Sequence, residues 1–106
     1  MSSNELAEIF ATPHRNIRFL KVVGTGMVPL LEPGQWVAVD TSEDEPRHHA
    51  VYALHIAGGI DFKHLMADGR TRTVKVISEA AWCVTYEVPL DKLEILGRVV
   101  GRFVRM

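Results

Sequence analysis

Apolar and polar residues along this chain change places in short runs rather than at helical spacing. On an extended strand neighbouring side chains point to opposite faces, so short alternating runs between turn residues read as strands. The pattern predicts strands at Arg18 to Gly24, Trp36 to Val39, Ala50 to Ile56, Ile60 to Met66, Thr71 to Ile77 and Glu94 to Val104. Gly24-Thr25-Gly26 closes the first of these, and Met27 to Leu31 forms one irregular turn. Pro33-Gly34 has Pro second and Gly third, the chemistry of a type II turn. Ala57-Gly58-Gly59 joins a hairpin, and Asp68-Gly69 supplies another turn. Gly97 and Gly101 are the expected bend or bulge points of the last strand. Thr41 to His49 and Ser78 to Thr85 read as loops, and Glu87 to Leu93 as a connection. Helical character is confined to Glu5 to Phe10, which Pro13 ends. The expected fold is therefore mostly β with little helix: strongly twisted sheets forming a partly closed, barrel-like structure. Residues 1–16 read as an N-terminal arm and 17–106 as a single domain.

Composition narrows the function classes. A chain of 106 residues, 47% of them hydrophobic, makes one small domain with one modest core. A formal charge of −1 lacks the basic excess of a nucleic-acid-binding domain. The apolar runs are too short to span a membrane, and no basic-then-apolar leader opens the chain. Cys83 is the sole cysteine, so no internal disulfide can form. It reads as a small core hydrophobe in a reducing compartment, and the expected location is the cytoplasm.

Several residue types invite chemistry that their spacing does not support. His14, His48, His49, His55 and His64 show no helical zinc spacing and no completing thiol or carboxylate set. No metal or other cofactor is expected. Arg98, Arg102 and Arg105 suggest a stripe, with Arg98 and Arg102 sharing strand parity. A solvated or dimer-edge strand explains them better than phosphate contact. Trp36 and Trp82 read as packing residues.

The order of motifs carries more. The run from Val22 through Gly24-Thr25-Gly26-Met27-Val28-Pro29 to Pro33-Gly34-Gln35-Trp36-Val37 and Asp40 resembles the nucleophile segment of the LexA family. That family comprises LexA, phage repressors and the UmuD polymerase subunit, and is related to bacterial signal peptidases. Ile60-Asp61-Phe62-Lys63-His64-Leu65 resembles the strand bearing the family's catalytic lysine. Val88-Pro89-Leu90 through Val99-Val100 resembles its closing strand. The resemblance runs from about Ile17 to Arg105.

It implies a Ser-Lys dyad, in which a neutral, buried lysine takes the serine proton and the alkoxide attacks a peptide carbonyl. Lys63 fills the lysine position, but the serine position is Gly26, which has no side chain to attack with. Thr25 is a poor substitute, since on an extended strand it would face away from Gly26's partner. Backbone amides around Thr25 and Gly26 would remain as a partial oxyanion pocket. The family's cleaved bond usually joins a small residue to glycine upstream of the serine. The sole Ala-Gly pair, Ala57-Gly58, sits instead in the predicted hairpin. The resemblance thus implies a non-catalytic LexA-like domain that forms homodimers and binds a protein partner, in transcriptional regulation of the phage-repressor or SOS type. Val99 and Val100, on a closing strand expected at the sheet edge, would make the dimer contact. No direct nucleic-acid or membrane binding is expected of this domain alone. The alternatives are an authentic autoprotease inactivated at Gly26, either a self-cleaving repressor or a UmuD-like polymerase accessory subunit.

Overall fold

The computed structural model describes residues 14–47, 49–80 and 84–103. The sequence expectations for Glu5 to Phe10, His48, Trp82, Cys83 and Arg105 lie outside the described residues. Among the described residues seven strands form one antiparallel sheet: β1 (Ile17–Lys21), β2 (Trp36–Asp40), β3 (Ala50–Ile56), β4 (Gly59–Asp68), β5 (Thr73–Ile77), β6 (Tyr86–Pro89) and β7 (Glu94–Arg102). Their order across the sheet is β1-β2-β7-β3-β4-β5-β6. The sheet is not closed, with β1 and β6 at its edges. One-turn 3-10 segments at His14–Asn16 and Leu90–Lys92 are the helical elements among the described residues.

Local chemistry accounts for the turns. Gly34 has φ +88°, the left-handed value that the third position of a type II turn requires. Ile56 pairs with Gly59, so the β3–β4 hairpin turns on two residues, Ala57 and Gly58. Both have positive φ, +52° and +81°, which matches the right-handed twist of the flanking strands. Asp68 closes the next hairpin, its side chain accepting from the Arg70 amide at 2.9 Å and its carbonyl from the Arg72 amide at 3.1 Å.

Two bulges shape β7. Ala53 pairs with Gly97 but Leu54 with Ile95, leaving Leu96 as the extra residue. Ala38 pairs with Gly101 but Val39 with Val99, leaving Val100 as the extra residue. The bulges therefore fall beside Gly97 and Gly101, as the sequence suggested. Each flips the parity of the residues beyond it, so one expectation is corrected. Arg98 pairs with Asp40 and Arg102 with Val37, on opposite faces of the sheet. They do not form a stripe.

A second correction concerns the sheet edge. The closing strand was expected to be one, but β7 is the third strand, between β2 and β3. Its first half pairs with β3 and its second half with β2, so this late segment ties the two halves of the sheet together. β1 is shorter than expected, because Val22 turns into the core, where its amide donates to the Gln35 carbonyl at 2.8 Å. Tyr86–Pro89 forms a strand that the pattern did not suggest. Pro89 fits there because an edge strand can spare an amide donor.

The core is divided between the two faces. On one face Val37, Val39, Ala53 and Phe62 pack with Val22, Met27 and Leu31 from the β1–β2 connection. On the other, Tyr52, Leu54, Leu65, Val74 and Val76 pack with Val88, Leu90 and Leu93. Alternation along β3 feeds both, with Ala53 entering the first cluster and Tyr52 and Leu54 the second.

Candidate functional site

Gly26 lies beyond the end of β1, in the turn that precedes β2. Gly24 enters this turn with φ +91°, and the Val28 amide donates to the Thr25 carbonyl at 3.2 Å. Met27 and Leu31 then anchor it, each about as buried as Val22. Thr25 and Gly26 therefore do not take opposite faces of a strand, as expected from the sequence, since neither is in one. Thr25 is exposed and Gly26 half-buried. The Gly26 carbonyl accepts from the Ala80 amide at 2.9 Å, which fastens the turn to the segment following β5.

Lys63 stands on β4 opposite Tyr52, on the face of the second core cluster. Its side chain is only 11% exposed. The amine donates to Ser78 Oγ at 2.7 Å and lies 3.5 Å from Asp61 Oδ2. Asp61 is two residues away on the same strand and therefore on the same face. Its other oxygen accepts from the Phe62 amide at 2.8 Å. Gly26 and Lys63 are thus both bound to one short stretch, Gly26 through Ala80 and Lys63 through Ser78.

Ser78 is the residue that sequence reasoning missed, because it opens the predicted Ser78 to Thr85 loop. The signal was in the register. His64 pairs with Ile77 across the β4–β5 hairpin. One more step along that ladder sets Ser78 opposite Lys63, where side chains on one face meet.

The same row continues across the sheet. Lys63 pairs with Tyr52, Tyr52 with Arg98, and Arg98 with Asp40. Arg98 donates from Nε and Nη2 to Glu43 Oε2, at 2.8 and 2.6 Å. The hydrogen bond to Glu43 raises the Arg98 pKa above its ordinary value, against the lowering effect of burial. Asp40 is buried and accepts from the Ser42 amide and hydroxyl at 2.9 and 2.6 Å. Arg102 donates to the Leu30 carbonyl at 2.6 Å and so braces the Gly26 turn against β7.

His64 Nε2 and Glu79 Oε2 are 2.7 Å apart, with the His49 ring edge-on to His64 at a centroid distance of 5.8 Å. Among the described residues no group of three His, Cys, Asp or Glu is placed to hold a metal ion.

Val99 packs against the first core cluster. Val100 is half-buried at the second bulge. Nearby, Phe19, Trp36 and Phe103 are 41%, 49% and 39% exposed. Phe19 and Phe103 are in contact, ring centroids 5.6 Å apart, and the Phe103 amide donates to the Trp36 carbonyl at 3.0 Å. Lys21 pairs with Trp36, and Phe19 with the fully buried Ala38.

Comparison with known proteins adds one finding. A family model described as Peptidase S24-like matches residues 3–100. The matched span takes in most of residues 1–16, read above as an N-terminal arm. No curated protein matches the chain. Among the described residues no helix is long and apolar enough to cross a membrane.

Proposed function

This chain belongs to the Peptidase S24-like family, the LexA and UmuD type of domain, and on that premise we propose that it is a non-catalytic member that dimerises and binds a protein partner. The observation that carries the reading is the glycine at position 26. The turn around it is anchored through Met27 and Leu31 in the first core cluster, Lys63 lies on the face of the second, and the position itself offers no hydroxyl. Backbone amides near Thr25 and Gly26 would be what is left of an oxyanion pocket. The role in view is transcriptional regulation of the repressor or SOS type, in the cytoplasm.

Dimerisation draws support from the exposed aromatic face of Phe19, Trp36 and Phe103. Patches of this kind commonly mark contact sites. The sequence placed the contact at Val99 and Val100. Because Val99 packs on the core, Val100 is the better of the two to probe.

The test has two parts. Intact-mass measurement after long incubation, including with the recombinase filaments that trigger cleavage in this family, should find the chain whole. A discrete N-terminal fragment would overturn the non-catalytic reading. Sedimentation velocity across the micromolar range should find a dimer, and monomer throughout would remove the assembly half. A second reading, a working autoprotease substituted at position 26, is favoured by the burial of Lys63. Gly26→Ser separates the two, since self-cleavage on restoring the hydroxyl is expected only of a competent site.

A further inference from the structure

We propose that Ser78 and Lys63 form a relocated nucleophile–base pair that accepts acyl groups from small activated esters. The inference goes beyond the binding role and concerns a different hydroxyl from the one the chain lacks. An oxygen nucleophile and an amine base within hydrogen-bond reach are the minimum for covalent acyl transfer. Ser78 Oγ and Lys63 Nζ meet that condition at 2.7 Å. The contact lies one step beyond the β4–β5 ladder, whose last pair is His64 with Ile77.

The environment suits a small reagent. Lys63 is nearly covered, which fixes the direction of its amine, while Ser78 is only half-buried. In the reaction the neutral Lys63 amine takes the Ser78 hydroxyl proton as Oγ bonds to the ester carbonyl carbon. The carbon–oxygen bond to the leaving group then breaks, giving acyl-Ser78 and a phenolate. The Lys63 ammonium then gives its proton to solvent. As water attacks the acyl carbon the neutral amine takes the water proton, and it returns that proton to Oγ as the ester bond to Ser78 breaks and a carboxylic acid leaves. A phenolate departs without being protonated, so a base alone suffices. An amide would need a proton delivered to its nitrogen, and a peptide would need a groove to align it. Such a pair can therefore be reactive toward esters while the chain stays uncut.

Asp61 acts against the pair. At 3.5 Å its carboxylate competes with Ser78 for the Lys63 amine. Tyr52 faces Lys63 from β3. The nearest other ion pair, His64 with Glu79, is on the adjoining residues. Replacing Asp61 should free the amine for Ser78 and speed acylation.

A fluorophosphonate probe tests the proposal on the intact chain, because its phosphorus bonds to an activated serine oxygen as fluoride leaves. Peptide mapping by tandem mass spectrometry should place one phosphonyl group on Ser78. Ser78→Ala should abolish that label. Lys63→Arg keeps the charge but cannot act as a base, and should slow labelling by about a hundredfold or more. Asp61→Asn should accelerate it. Circular dichroism establishes whether each variant is folded, and mapping of the unaltered protein decides the matter even if one is not. An unlabelled Ser78 in the unaltered protein would overturn the proposal, as would undiminished labelling in folded Lys63→Arg.

Discussion

At the scale of single residues, glycine matters most where two strands leave no room. A Cβ on Gly97 would lie 2.4 Å from the Asp40 carbonyl oxygen and 2.8 Å from Val39 Cγ1. The first contact is with backbone and cannot be relieved by a rotamer change. Gly97→Ala should therefore destabilise the fold by about 2 kcal/mol or more through overpacking. A urea midpoint indistinguishable from that of the unaltered protein would show that β2 and β7 separate more easily than the packing suggests. Ala57 presents the opposite case. It occupies a turn position at φ +52°, where an L side chain is strained and asparagine is better tolerated. Ala57→Asn should raise stability by roughly 0.5 to 1 kcal/mol, read as a higher melting temperature with unchanged spectra. The Ala-Gly pair belongs to this turn, which is consistent with its being a connection rather than a cleavage point.

At the scale of elements, legibility depended on whether the determinant was local. The β3–β4 hairpin, the Pro33-Gly34 turn and the two glycine bulges were readable because each is governed by the backbone freedom of a few residues. The place of β7 was not, because insertion of a late strand between β2 and β3 depends on pairings far apart in the chain. The same limit hid Ser78, whose importance lies in its cross-strand neighbour, and misassigned Thr25, judged by strand parity in a turn. Lys63 was legible through the residues around it, although a lone lysine on a strand would have read as solvent-facing. The bulges also explain why counting residues failed for Arg98 and Arg102. An extra residue between them reverses parity, which sends Arg98 to Glu43 and Arg102 to Leu30.

The Arg98–Glu43 pair ties the β2–β3 connection to β7 and can be tested on its own. Both side chains are about one-third exposed, so solvent weakens the attraction without removing it. Glu43→Gln should cost about 1 kcal/mol, measured by denaturant titration. The pH dependence has a definite sign. A cation whose pKa is raised on folding contributes fully below its unfolded value, and that contribution is lost only as pH rises through the folded one. For an arginine that window lies at the strongly alkaline extreme. The Arg98 shift should therefore add no slope to stability through the neutral range, and a stability loss there traced to Arg98 by Arg98→Lys would contradict it.

At the scale of the molecule, one open sheet carries a core cluster on each face, with β3 contributing to both. Such a sheet is covered unevenly, and the end formed by β1, β2 and the close of β7 leaves three aromatic side chains outside. Phe19, Trp36 and Phe103 come together there from three distant parts of the sequence. A second copy is a suitable cover, because an interface related by a twofold axis needs only one self-complementary patch. Aromatic side chains near the centre of such a contact commonly carry much of its energy. If the proposed dimer uses this face, Phe103→Glu combined with Trp36→Glu should place like charges at its centre. The doubly substituted chain should sediment as a monomer at concentrations where the unaltered protein is a dimer. Its circular dichroism should be unchanged, since both side chains are substantially exposed in the single chain. Val100→Lys should weaken assembly less, because that residue is half-buried at the bulge beside the face. A folded double variant that still dimerises with undiminished affinity would show that the contact lies elsewhere on the domain. The open edges of β1 and β6 would then be the next surfaces to test.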